Sequence, residues 1–150
     1  MENPLLESNE LYQLWQAKRA GRRYPARRDF DVRELAPWIG DLELVEIVRE
    51  PRLRYRFRLV GTNITAIDGS DVTGRFADEI FSPDIDYIVS EYNEVLRTGE
   101  PCLAEGVLKP NLRGLTMIYR KLVLPLATDD NTIDMLMVHL RELGSAFDGK

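Results

Sequence analysis

The 150 residues contain one cysteine and one histidine. A lone thiol forms no internal disulfide, and the pair leaves too few soft ligands for a structural zinc site. No apolar run approaches the ~20 residues of a membrane-spanning helix, so no membrane association is expected. The opening MENPLLESNE lacks the basic start and apolar stretch of a secretory leader, which sets the expectation of a cytoplasmic protein. Neither GxxxxGK[ST] nor GxGxxG occurs, so no phosphate-cradling loop is written into the chain. Repeats and low-complexity linkers are absent as well. A net charge of −5 argues against a general nucleic-acid binder.

What is present is the composition of an ordinary globular domain, 44% apolar and 30% charged. The clearest stretch is LRYRFRLVGT, Leu53 to Thr62. Leu53, Tyr55, Phe57 and Leu59 alternate with Arg52, Arg54, Arg56 and Arg58, the period of two of a strand with one buried face. LELVEI, Leu42 to Ile47, predicts a second strand, and the short link through Glu50-Pro51 makes the two an antiparallel hairpin. Further strands are expected over Cys102 to Lys109, Met117 to Leu126 and Ile133 to Leu140. The last is apolar on both faces, so both of its faces need a cover.

Helices are expected before the first strand and between the second and the third. Ser8 or Asn9 can cap one that carries Leu11, Leu14 and Trp15 as an apolar stripe, with Gly21 as its stop. A longer one is predicted from Ser82 to Thr98, with Pro83 at its first position and Gly99 after its end. Ile85, Ile88, Val89, Tyr92, Val95 and Leu96 share one face of it. The irregular crossing between Gly61 and Phe81 is too rich in turn residues for a strand. The expected layout is an N-terminal helix and basic connector over residues 1–30 and a single domain over 31–150.

Taken in order, these elements resemble a PAS domain. The wording is similar to one bacterial subgroup, the PAS_5 family. The residues that carry the likeness are Leu11-Tyr12 to Trp15, Lys18-Arg19, Pro25, Arg28-Asp29-Phe30 and Pro37-Trp38. They continue as Tyr55 to Thr62 (YRFRLVGT), Gly69, Thr73-Gly74-Arg75 and Leu124-Pro125-Leu126. The resemblance implies an α+β fold, with a five-stranded antiparallel sheet, helices on one face and an extra N-terminal helix. It also implies a bacterial sensory or signalling module acting through protein–protein interaction, without catalysis of its own. It names no ligand, because PAS domains share a fold and not a chemistry.

Against that background the chemistry-bearing residues take their places. A cavity between the sheet and the long helix would be lined by Tyr55, Phe57, Ile64, Ile67, Ile88 and Tyr92, with the tyrosine hydroxyls as polar handles for a small ligand. The cofactor is unknown. PAS domains that bind haem usually draw their ligand from the long helix, where this chain has no histidine. The cysteine motif of covalent flavin photoreceptors does not match the surroundings of Cys102, which reads as a small buried residue. Leu11, Leu14, Trp15, Met135, Met137 and His139 are candidates for a homodimer interface or for a signalling partner. Arg19, Arg22, Arg23, Arg27 and Arg28 form a basic segment that could dock an anion or an acidic partner. The competing readings are a small enzyme using the cavity, and anion or nucleic-acid binding through that basic segment.

Overall fold

In a computed structural model, which describes residues 3–68, 70–81, 85–108, 115–129 and 131–147, the chain opens with α1 (Pro4–Glu7) and α2 (Glu10–Arg19). The Asn9 side chain caps α2 by accepting from the Tyr12 amide at 2.9 Å. Ala20 ends it in the left-handed region at φ 52°, one residue before the expected Gly21. After the connector come α3 (Val32–Leu35), β1 (Leu42–Val48) and β2 (Arg54–Val60). The crossing is helical: α4 (Thr62–Asp68), α5 (Ala77–Ile80) and α6 (Ile85–Ile88) lead to α7 (Ser90–Thr98). The strands β3 (Cys102–Leu108), β4 (Leu115–Leu126) and β5 (Met135–Phe147) close the chain.

The five strands form one antiparallel sheet in the order β2-β1-β5-β4-β3. Its inner face carries Val45, Ile47, Tyr55, Phe57, Val123, Leu136 and Val138, each at most 7% exposed. The roof is α7: the Tyr92 ring meets Tyr55 edge-on at 5.1 Å, and Phe81 meets Phe57 the same way at 6.2 Å. The expected single long helix is instead two segments, broken at Val89, which holds φ −98° and ψ 9°. Val89 and Tyr92 are buried, and Ile85 and Ile88 are half-buried. The proposed cap at Ser82 and Pro83, like the loop at 110–114, lies outside the described residues. Gly99 ends α7 in the left-handed region at φ 73°, as its placement suggested.

Two details of the hairpin depart from strict alternation. Leu53 precedes the strand and is 47% exposed. The register passes from Leu44↔Leu59 to Val45↔Phe57, so Arg58 is an extra residue, a β-bulge. Leu44 and Val45 point to opposite faces, so Leu59 turns to the outer face while Phe57 stays inside. β5 also runs seven residues past Leu140, because its continuation pairs with the first half of β4.

The outer face is apolar too: Leu42, Leu44, Leu122, Leu124, Leu126 and Met137 are at most 5% exposed. The helices that follow β2 are engaged with the inner face, so the cover here is the segment before β1. Its Leu11, Tyr12, Trp15, Tyr24, Phe30 and Leu35 are buried in the same apolar cluster as those leucines. Two bonds fasten it to the end of β4: the Trp15 indole donates to the Pro125 carbonyl at 2.8 Å, and the Ala127 amide donates to the Pro25 carbonyl at 2.9 Å.

Candidate functional site

A cavity of about 40 Å³ lies between the inner face and the crossing, lined by Glu43, Phe57, Ile64, Phe81, Ile88, Tyr92, Tyr119, Lys121 and Leu140. Of the residues anticipated from sequence, Phe57, Ile64, Ile88 and Tyr92 line it. Tyr55 does not: it lies beside Tyr92 and its hydroxyl donates to the Asn93 side chain. Burial pushes the Tyr55 phenol up to about 12. Ile67 belongs to α4, and its side chain lies outside the described ones.

The charged members of the lining were not anticipated. Glu43, between Leu42 and Leu44, is 6% exposed and Lys121, between Arg120 and Leu122, is 7%, and both point inward from their strands. Their signal in the sequence is a charge at a period-two position that should be apolar. Tyr92 donates to Glu43 Oε1 at 3.3 Å. Lys121 donates to Glu91 Oε1 at 3.1 Å and to the Ile88 carbonyl at 3.3 Å, and its ammonium sits 5.0 Å from the centre of the Tyr92 ring. Burial, then the Glu91 charge, raises the Tyr119 phenol, so this hydroxyl remains a donor. A cation, a carboxylate and two phenols thus converge on one small space walled by apolar side chains.

The other candidates sit elsewhere. Cys102 is half-buried on β3, and burial followed by the Glu91 and Glu94 charges raises its thiol, so the reactive thiolate is disfavoured. His139 faces outward on β5, opposite Leu42 and Leu122. Burial pulls its imidazole down towards the neutral form, with Asp41 opposing. Among the described residues, no group of three or more His, Cys, Asp or Glu is placed to hold a metal, and no helix is long and apolar enough to cross a membrane.

The arginines are engaged largely within the chain. Arg54 grips both oxygens of Asp78 at 2.8 Å and lies 3.7 Å over the Phe76 ring. Arg56 bonds Glu46 at 2.9 Å, with Arg58 3.7 Å from the same carboxylate. The alternating row on β2 is therefore an intramolecular network of ion pairs. In the connector, Arg22 bonds Asp29 at 2.6 Å, Arg19 bonds the Arg22 carbonyl and Arg27 the Phe30 carbonyl, while Arg28 is exposed. Of the interface candidates, Leu11, Trp15 and Met137 are buried inside the chain, which removes them from any docking surface of this conformation. Leu14, Met135 and His139 are half-buried.

The PAS domain family profile matches residues 5–140, and the chain belongs to that family. PAS domains are in general sensory and non-catalytic. A comparison with curated proteins returned no match. Solved structures of similar fold include a sensory box sensor histidine kinase from Vibrio cholerae, with TM-score 0.53, 18% identity, and coverage of 75% of this chain and 90% of that one. A LOV protein from Rhodobacter sphaeroides gives TM-score 0.54 at 13% identity, covering 77% of this chain and 69% of that one. VqmA bound to DPO gives TM-score 0.54 at 14% identity, covering 75% and 58%. At these identities the likeness concerns the fold.

Proposed function

We propose that this PAS domain senses a small amphipathic molecule in the Glu43–Lys121 cavity and passes the signal on by protein–protein contact. One observation carries the reading: Glu43 and Lys121, the two charged residues among the buried ones described, both line the same cavity. Burying a charge is costly unless it is paired, so two inside one wall mark a place built for polar contact. The ligand class follows from the donors and acceptors. It accepts from an ammonium and a phenol, donates to a carboxylate, and buries an apolar body against Phe57, Ile64 and Leu140.

At about 40 Å³ the space is far below the roughly 300 Å³ or more of a cofactor-sized pocket, so binding requires the wall to yield. Phe81 and Ile88 are the half-buried part of that wall, and α6 is a single turn. The mechanism is a population shift: the ligand favours the packing in which the crossing stands away from the sheet. In this reading the titratable groups of the cavity, Glu43, Lys121, Tyr92 and Tyr119, serve as ligand contacts, with the Tyr119 phenol held protonated. The output surface is the outer face around Leu14, Met135 and His139, used by a second copy or a signalling protein in a bacterial cytoplasm.

Native mass spectrometry of protein from its own host tests this. A small bound mass is expected in the wild type and absent from Lys121→Met. Wild-type protein that carries no mass, and that no small hydroxyl- or carbonyl-bearing compound stabilises thermally, overturns the reading.

A further inference from the structure

Gly106 stands inside β3, where a glycine weakens a strand and marks a close approach by another group. That group is Tyr119, its cross-strand partner on β4. A Cβ at Gly106 would lie 2.9 Å from the Tyr119 hydroxyl and 3.1 Å from the ring carbon that bears it. The hydroxyl end of the ring therefore rests over β3, in space that any side chain at 106 would take. There it shares a hydrogen bond with the Tyr87 phenol of α6. Tyr119 is buried and Tyr87 is exposed, so the bond joins the inside of the sheet to the surface of the crossing.

α6 is one wall of the core cavity, through Ile88, and it is only four residues long. The Val89 amide closes it by donating to the Ile85 carbonyl at 3.0 Å. A single turn makes too few bonds of its own to offset the entropy of ordering it, so its neighbours decide whether it stays wound. Two side chains of β4 reach it. Lys121 donates to the Ile88 carbonyl at 3.3 Å and to Glu91 Oε1 at 3.1 Å, spanning the break at Val89. Tyr119 holds the turn itself, through Tyr87. We infer that α6 is the door of the core cavity, pinned by Lys121 at its α7 end and latched by the Tyr87–Tyr119 hydrogen bond that a bare Gly106 makes room for. Releasing the latch lets the turn unwind locally while α7 keeps its place. The inference rests on the sensing reading for what passes through the door, but the opening itself needs no ligand.

The test is amide hydrogen exchange of the whole chain, read by NMR without ligand. The Val89 amide reports on the turn, and the Asn93 amide, bonded to the Val89 carbonyl at 2.9 Å, reports on α7. Tyr87→Phe should speed Val89 exchange about fivefold, the worth of one hydrogen bond, and leave Asn93 within about twofold. Gly106→Ala pushes the Tyr119 hydroxyl aside with both phenols still present, and should reproduce the effect. Combining the two substitutions should add less than about twofold, since both break one bond. Access to the cavity is read from Ile64→Cys in a Cys102→Ser background, labelled with methyl methanethiosulfonate, because Ile64 is buried and lines the cavity. Tyr87→Phe should raise that labelling rate about fivefold as well. Val89 exchange that ignores Tyr87→Phe, or Asn93 exchange that speeds equally, overturns the latch. Labelling that does not follow Val89 overturns the door. If both rates rise while the wild type carries no small molecule from its host, the sensing reading fails and the door stands.

Discussion

Lys121→Met tests whether the buried charge is held in place by its partner. Methionine keeps most of the unbranched stem and removes the ammonium. The ammonium makes two bonds, to Glu91 Oε1 at 3.1 Å and to the Ile88 carbonyl at 3.3 Å. The two side chains of the ion pair are 8% and 15% exposed. Breaking a fully buried pair costs about 3–5 kcal/mol, most of it from the charge left behind. Glu91 keeps some contact with water and lies in the first turn of α7, where the helix dipole favours an anion. That brings the expected loss to about 2–3 kcal/mol. Each kcal/mol lowers Tm by about 2–4 °C in a domain of this size.

The second arm neutralises the partner. Lys121→Met combined with Glu91→Gln removes both charges and should return stability to within about 1 kcal/mol of wild type. Glu91→Gln alone strands the buried Lys121 ammonium and should also cost about 2–3 kcal/mol, so the cycle gives a coupling of about 3 kcal/mol or more. Urea unfolding followed by far-UV circular dichroism measures all four proteins, and equal slopes show that the denatured state is unchanged. Additivity within about 0.5 kcal/mol refutes the pairing, because Lys121 would then owe its place to something other than Glu91.

Trp15→Phe removes the indole donor and leaves the buried Pro125 carbonyl without it, so a loss of about 1–3 kcal/mol is expected in urea unfolding. A change below about 0.5 kcal/mol would mean that the N-terminal segment is not anchored there. For His139, burial lowers the folded pKa below the ordinary 6.5, so the unfolded chain binds the extra proton first. Its contribution to stability is intact above about pH 6.5 and declines as pH falls from there towards the folded value. His139→Gln should flatten that part of the stability–pH curve, and an unchanged curve contradicts the burial. Gly61→Ala places a Cβ against the Gly40 and Ile39 carbonyls, both backbone, so about 1–3 kcal/mol of destabilisation is expected in thermal unfolding. A neutral effect would show that the 39–41 turn yields freely.

The strands were legible because RYRFR and LELVEI alternate, and alternation is what a half-buried strand requires. The end of α7 was legible because Gly99 supplies a backbone conformation that other residues resist. The bulge at Arg58 was not, since nothing in RFRLV marks an extra residue until β1 sets the register. The continuation of β5 beyond Leu140 was hidden for a related reason: RELGSAF has little alternation of its own and is a strand because β4 lies beside it. In the cavity, Phe57, Ile64, Ile88 and Tyr92 could be read as inward-facing apolar groups. Glu43 and Lys121 could not, because a charged residue within a strand reads by default as the solvent side. The partners of Arg54 and Arg56 depend on the placement of Phe76 and Glu46, which only the folded sheet defines.

The position of α7 ties these features together. Tyr92, near its start, touches the cavity and Glu43, while the Gly99 carbonyl, just past its end, accepts from the Tyr24 hydroxyl of the N-terminal segment at 2.9 Å. The helix has nine residues, so its two ends are about 14 Å apart and cannot shift independently. Displacing it to enlarge the cavity strains the Tyr24–Gly99 bond together with the Lys121–Glu91, Tyr92–Glu43 and Tyr55–Asn93 bonds, and not the Trp15 and Pro25 attachments to β4. A ligand that moved α7 would therefore loosen the connector while leaving α2 seated on the sheet.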